Sequence, residues 1–465
     1  MILQNICKFV ISLLILLSLC YCTESASRGV NNEDTEPTEA IDLFLSLLSS
    51  PSSTETTDLL KEIEATWSSS YAALIIETVY LINDADISFE LITLLQAKTQ
   101  QNFGYDFNAW YYWLWNQKEN KVKNYADFKA KLYQRIDEKF YHYFIGRNDQ
   151  TLIRLDEIRW GGVVQDGIPP LRNPQMIPAS EASYLEDNHI VFGIEINGDI
   201  RAYPKRILAW HEMFTDTIDG IPVAGVYCTL CGTVILYNTM VHGIRYELGT
   251  SGFLYRSNKL MYDRGTQSLW NTLAGKPVVG PLIDKNIELE HMSVVTTTWA
   301  EWKRRHPKTK VLSLHTGYNR NYNEGIAYQA YFSTDNLMFN TPFHDGRLKN
   351  KDEILAIRLA EYPTLQIAIF VEFLRENPIY TDIIGNQKFV VLTDHSAANR
   401  VYAIDDQVFQ KYDQRGRLVD SLGRKWTVTE SRLICEDGQE LTRLPYHRAF
   451  WFGWVAAFPK TRLIK

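Results

Sequence analysis

The run Tyr227-Cys228-Thr229-Leu230-Cys231-Gly232 sets two thiols three positions apart, near enough to share one atom or one bond. Three chemistries use that spacing. Two thiolates hold a soft metal. A dithiol cycles with its disulfide, one thiolate being stabilised by its neighbour. A fixed disulfide braces a turn. Gly232 supplies the backbone freedom that a tight turn needs. Two thiolates side by side repel, so a cation or an S–S bond must remove the charge. The motif lacks the second Cys-x-x-Cys of a zinc ribbon. The chain after Gly232 reads as a strand, so no helix N-terminus is expected to depress a thiol pKa.

Upstream stands Trp210-His211-Glu212, separated from the cysteines by the turn signal Asp219-Gly220. Imidazole is the commonest protein metal ligand and the usual proton carrier near neutral pH. A hairpin return would bring His211 to the sulfurs, with Glu212 as an adjoining candidate. His447, in His447-Arg448, reads either as a further ligand or as a core histidine donating to a backbone carbonyl. Asp263-Arg264 reads either as a catalytic acid beside an anion clamp or as an internal ion pair fixing a loop, and the ion pair is preferred. The chain has no Gly-rich loop ending in Lys-Ser/Thr and no His-Glu-x-x-His, and Ser251-Gly252 lacks the flanks of a nucleophile elbow. The expectation is therefore a soft-metal site at Cys228, Cys231 and His211, with His447 as a further ligand. Copper(I) or zinc suits such a set. The alternatives are a thiol–disulfide oxidoreductase and a non-enzymatic binding module with a structural disulfide.

Several motifs recur in a fixed order. Asp166-Gly167-Ile168-Pro169, Ala202-Tyr203-Pro204, Trp210-His211-Glu212 and the cysteine turn come first. Tyr262-Asp263-Arg264, Ser268-Leu269-Trp270 and Gly280-Pro281 follow, and Leu444-Pro445-x-His447-Arg448 with Phe450-Trp451-Phe452 closes the series. Together they resemble the domain of unknown function 3179 family over residues 160–465. Thr229 departs from the proline that much of the family carries, which would stiffen the turn. The resemblance implies a domain and no reaction.

The elements that must position these groups change character along the chain. From residue 40 to about 150 the apolar spacing is helical: Leu60, Ile63 and Trp67 share a face, and Phe128, Leu132, Ile136, Phe140 and Phe144 recur every four residues. Pro51-Ser52-Ser53-Thr54 separates the first two helices and offers caps. The aromatic run Trp110 to Trp115 is expected to dock this helical array on the next domain, and the array is also a candidate surface for a protein partner. After Arg159-Trp160-Gly161-Gly162, short alternating strands take over, with Asn197-Gly198 as a hairpin signal. Residues 351–360 read as helix and the aromatic run from Phe450 to Trp454 reads as an alternating strand. Strands that do not alternate with helices predict an α+β fold, a helical array followed by a larger, mainly antiparallel β domain.

A net charge of −7 with no basic stripe argues against a nucleic-acid partner. Lys8 followed by the apolar run from Phe9 to Cys22 reads as a signal peptide over residues 1–26, with a polar linker to residue 39. That leader predicts an extracytoplasmic, secreted or periplasmic, protein. Lipid attachment at Cys20 or Cys22 is the less favoured variant, because Leu19 replaces the small residue such a box wants before its cysteine. Cys228, Cys231 and Cys435 then remain in the mature chain, an odd number that excludes complete internal pairing. Cys435 reads as a small core hydrophobe.

Overall fold

The computed structural model of the protein describes residues 39–49, 52–119 and 122–465. The expected signal peptide with its three cysteines and the expected linker up to residue 38 lie outside the described residues. Among the described residues, no helix is long and apolar enough to cross a membrane.

The first segment is helical, as the four-residue spacing predicts. Helices Ala40–Leu47, Ser53–Ala65, Tyr71–Leu81, Ala85–Thr99, Phe107–Trp115 and Tyr125–Tyr133 follow one another, then a short helical pair ends at Phe144. Their starts are set by side-chain caps: the Ser52 hydroxyl accepts from the Glu55 amide, the Asp84 carboxylate from the amides of Asp86 and Ile87, and Asp106 from Ala109. Phe128, Leu132, Phe140 and Phe144 are all buried.

This segment does not close on itself. Its core runs on without a break into Ile158, Phe253, Leu260, Tyr262, Leu269 and Val279 of the first sheet. The Trp110–Trp115 run makes the junction: Trp115 Nε1 donates to the Asp156 carbonyl at 3.1 Å, and the Arg159 guanidinium stacks 4.0 Å from the Tyr111 ring. Beneath it Lys129 Nζ is bonded to Glu77 at 2.6 Å and to the Ile158 carbonyl at 3.0 Å, with both charged side chains almost wholly buried.

The remainder is built from antiparallel-rich sheets. One five-stranded sheet runs Ile158–Trp160, Leu248–Tyr255, Asn258–Asp263, Leu269–Asn271, Lys276–Val279, all antiparallel. A second is formed around the hairpin of Ile190–Ile196 and Asp199–Pro204. Its turn residues Asn197 and Gly198 both have positive φ, 50° and 89°, which is the two-residue hairpin geometry the Asn-Gly pair signals. The largest sheet has nine strands, and its centre is Met213–Ile218, Ile221–Cys228, Thr233–Asn238, His447–Phe450, Glu353–Arg358 in spatial order. A three-stranded sheet and a five-stranded meander complete residues 379–442.

Two expectations are corrected. Residues 351–360 hold a strand, Glu353–Arg358, not a helix. It pairs on both sides, with Gln366–Phe370 and His447–Phe450, and Ile354, Leu355, Ala356 and Ile357 are all buried. A strand covered on both faces has no alternation, so its apolar run imitates a buried helix. The converse error falls at the aromatic run: the strand His447–Phe450 ends there, and Trp451–Ala457 is a helix. Trp451, Phe452, Trp454 and Val455 are buried all round it.

Candidate functional site

The cysteines sit where strand Ile221–Cys228 turns into strand Thr233–Asn238, with Cys228 opposite Thr233 in register. Gly232 closes the turn with φ of 58°, and a Cβ there would stand 2.7 Å from the Phe450 ring. Glycine is thus needed twice at one position, for its left-handed backbone and for the ring against it. As expected, a strand and no helix follows the motif. Both thiols are free and buried. They lie in an apolar cluster with Leu230, Leu254, Phe450 and Phe452, covered by Tyr328, Tyr331, Phe332, Leu337 and Phe339 from the long irregular excursion after Leu312. The Tyr331 hydroxyl pins that cover by donating to the Leu230 carbonyl at 2.7 Å.

Beneath the turn lies a buried ion pair. Glu212 takes a left-handed backbone, φ 54°, at the end of helix Lys205–His211. Its carbonyl accepts from the Tyr227 amide at 2.8 Å and from Lys259 Nζ at 2.9 Å. Its carboxylate accepts from the Thr229 hydroxyl at 2.6 Å, from the Tyr328 hydroxyl at 3.1 Å and from Lys259 Nζ at 3.3 Å. Glu212 therefore ties the cysteine turn, its cover and strand Asn258–Asp263 together.

The two thiols feel this surrounding differently. Burial pushes the Cys228 thiol up, as does the Glu212 charge, but a hydrogen bond from Cys231 and the charge and backbone N–H of Lys259 outweigh them and leave it lowered from the ordinary thiol value. Burial and the same bond to Cys228 push Cys231 well up. Of the pair, Cys228 is the more acidic thiol and Cys231 the less acidic.

A family model described as a protein of unknown function, DUF3179, matches residues 165–461. The chain belongs to the DUF3179 family. No curated protein and no solved structure matches it. The DUF3179 segment contains the cysteine turn, the Glu212–Lys259 pair and every other residue weighed for chemistry, while the helical segment precedes it.

The remaining candidates scatter within the DUF3179 domain. His211 is buried, but its Nδ1 donates to the Pro169 carbonyl at 2.8 Å and its Nε2 accepts from the Tyr322 hydroxyl at 2.6 Å. A neutral ring so engaged has no lone pair left for a metal, and neither nitrogen is turned to a sulfur. The expected facing of His211 and the cysteines across a cleft is corrected on that ground. His447 packs its ring on His291 and Trp454. Asp263 and Arg264 do not pair: the Asp263 carboxylate accepts from the Thr266 amide and hydroxyl and from Trp270 Nε1, while Arg264 reaches Glu247 in solvent at 3.4 Å. Asp263 thus fixes a loop through neutral donors, and the expected internal ion pair with Arg264 is corrected. Among the described residues, no group of three or more His, Cys, Asp or Glu is arranged to hold a metal ion. Sequence reasoning missed Lys259 altogether. Its one signal was a lysine directly before the apolar run Leu260-Met261-Tyr262 of strand Asn258–Asp263, where a charge must be paired to be buried.

A cavity of about 150 Å³ opens on the far side of the turn, lined by Tyr227, Gly232 and Phe450 and by the charged Lys205, Glu353 and Arg448.

Proposed function

We propose that Cys228 and Cys231 form a dithiol–disulfide couple that exchanges with an external disulfide, in a protein exported from the cytosol by its leader. What supports the reading is the unlike setting of the two thiols: Cys228 beside the Lys259 ammonium and accepting from Cys231, Cys231 in an apolar pocket. The Cys228 thiolate attacks one sulfur of the substrate disulfide, and a Cys228–substrate S–S bond forms as the substrate's own bond breaks and its first thiolate leaves. Cys231 gives its proton to that departing thiolate and attacks Cys228, expelling the second thiolate. Two electrons pass from the dithiol to the substrate, and the protein is left with the Cys228–Cys231 disulfide.

The full burial of both sulfurs in a hairpin turn favours a second reading, a disulfide that only braces the turn. A copper or zinc ion at this place would rest on the two sulfurs alone, since His211 is engaged elsewhere.

Equilibration of the native protein against glutathione mixtures tests the proposal. A reversible transition between dithiol and disulfide is expected, and Cys231→Ser is expected to accumulate a glutathione adduct on Cys228. A disulfide that no glutathione mixture opens without unfolding would establish the brace instead. An adduct on Cys231 in Cys228→Ser, with none on Cys228 in Cys231→Ser, would invert the assigned roles.

A further inference from the structure

Three of the motifs singled out in the sequence end at one cavity. Ala202-Tyr203-Pro204 runs into Lys205, the cysteine turn contributes Tyr227 and Gly232, and His447-Arg448 leads to Phe450. With Glu353 and Arg375 they line the space of about 150 Å³ beside the turn, and Ile190, Phe192 and Val234 give it an apolar wall.

The charges around this space do not cancel. Arg448 is fixed by its partners: its Nη1 donates to Glu353 at 2.8 Å, and its Nε and Nη2 donate to the Asn399 side-chain oxygen at 3.0 and 2.8 Å. Arg375 is paired with Glu372 at 2.9 Å, with both side chains half exposed. Lys205 has no such partner. It is half-buried, and among the described residues no carboxylate pairs with its ammonium group. Its Nζ lies 5.0 Å from the centre of the ring of Phe332, a residue of the cover over the cysteines. A ring face attracts a cation without neutralising it. Beside apolar walls a charge acts more strongly than in water, and a counter-charge brought to it is held correspondingly well.

We propose that this cavity binds a small carboxylate. Lys205 meets the carboxylate head, Arg448 and Arg375 add attraction, and the short body of the ligand lies against the apolar wall. One uncompensated positive charge matches a monoanion. A phosphate group carries more than one negative charge near neutral pH and would bring the excess against Glu353. Size points the same way, since sites for drug-sized ligands measure about 300–1,000 Å³ and this one takes only a few heavy atoms. No sulfur takes part. The site goes beyond the cysteine couple and stands equally if the two thiols only brace their turn.

Acetate is the probe, titrated into the whole chain at an ionic strength held constant with chloride. Backbone amide resonances of Gly232 and Ala397, both on the cavity wall, are expected to shift and saturate together. Lys205→Met is expected to weaken binding about tenfold or more. Glu353→Gln is expected to tighten it, because a repelling charge is removed, and this variant keeps the test independent of whether Lys205→Met folds. Cys228→Ser/Cys231→Ser is expected to bind as the parent does. No saturable shift at Gly232 and Ala397 would overturn the site, as would unchanged binding in Lys205→Met. Weaker binding in Glu353→Gln would overturn the assignment of an anion. Inorganic phosphate that saturates the same resonances at lower concentration than acetate would overturn the choice of a carboxylate.

Discussion

Replacing Lys259 by methionine separates two effects of one ammonium group. Its Nζ lies 3.3 Å from the Glu212 carboxylate, with side chains only 6% and 8% exposed. At an effective dielectric constant near 20, unit charges at that distance attract by about 5 kcal/mol. Desolvation offsets part of this, and removing one member of a buried pair typically costs about 3–5 kcal/mol. Lys259→Met is expected to lose that amount in urea unfolding at pH 7, a large share of the about 5–15 kcal/mol that ordinary domains possess. The second effect is on Cys228, which the ammonium holds down and the carboxylate pushes up, the carboxylate being the stronger. A thiolate absorbance titration, read against Cys228→Ser, is expected to show a raised Cys228 pKa in Lys259→Met and a further lowered one in Glu212→Gln. The double variant is expected to regain most of the stability, since neither charge is left alone, with Cys228 at or below its parent value. A loss under about 1 kcal/mol in Lys259→Met would place the pair among solvent-screened surface bridges and refute the argument from burial. A raised Cys228 pKa in Glu212→Gln would refute the assignment of charges.

Gly453 has its Cα directly over the site: a Cβ there would stand 2.7 Å from the Cys231 Cβ, so Gly453→Ala is expected to cost about 1–3 kcal/mol in urea unfolding and to shift the Cys228/Cys231 reduction potential measured against glutathione. Lys129→Met strands the buried Glu77 carboxylate and is expected to cost about 3–5 kcal/mol, whereas Glu77→Leu/Lys129→Met is expected to return to within about 1 kcal/mol of the parent or exceed it; equal losses in single and double variants would contradict this. The folded state binds protons at His291 and His447 less readily than the unfolded chain, whose histidines titrate near 6.5, so stability is complete above that pH and is lost as pH falls toward the folded values, about 3 for His291. Unfolding free energies measured from pH 7 to 4 are expected to fall less steeply in His291→Phe than in the parent.

The sequence carried the architecture where a side chain's neighbours in the chain decide its fate. Asn197-Gly198 and Asp219-Gly220 make the hairpins their backbones favour, and the Phe128 to Phe144 series is buried as its spacing requires. It misled where burial is two-sided, because the strand Glu353–Arg358 and the helix Trp451–Ala457 are both apolar all round and neither period survives. At the site, the cysteine turn and Glu212 were legible from spacing. His211 was not, since its partners Pro169 and Tyr322 lie 42 and 111 positions away. Lys259 and His291 escaped for the same reason: their significance depends on what strand pairing sets beside them. A local pattern reports which face a residue occupies and says nothing of who stands opposite.

The aromatic cover over the cysteines also sets a clock. If lifting of the Tyr328–Phe339 segment is the way in, a molecule from solution meets Cys228 only in that fraction of proteins in which it has lifted. Each 1.4 kcal/mol of opening free energy slows every such encounter about tenfold, whatever the reagent's own reactivity. Once encounters outpace reclosing, the opening rate itself becomes the limit. Two reagents of very different intrinsic reactivity would then be consumed at one common speed, a property of the Tyr331–Leu230 latch and not of sulfur chemistry.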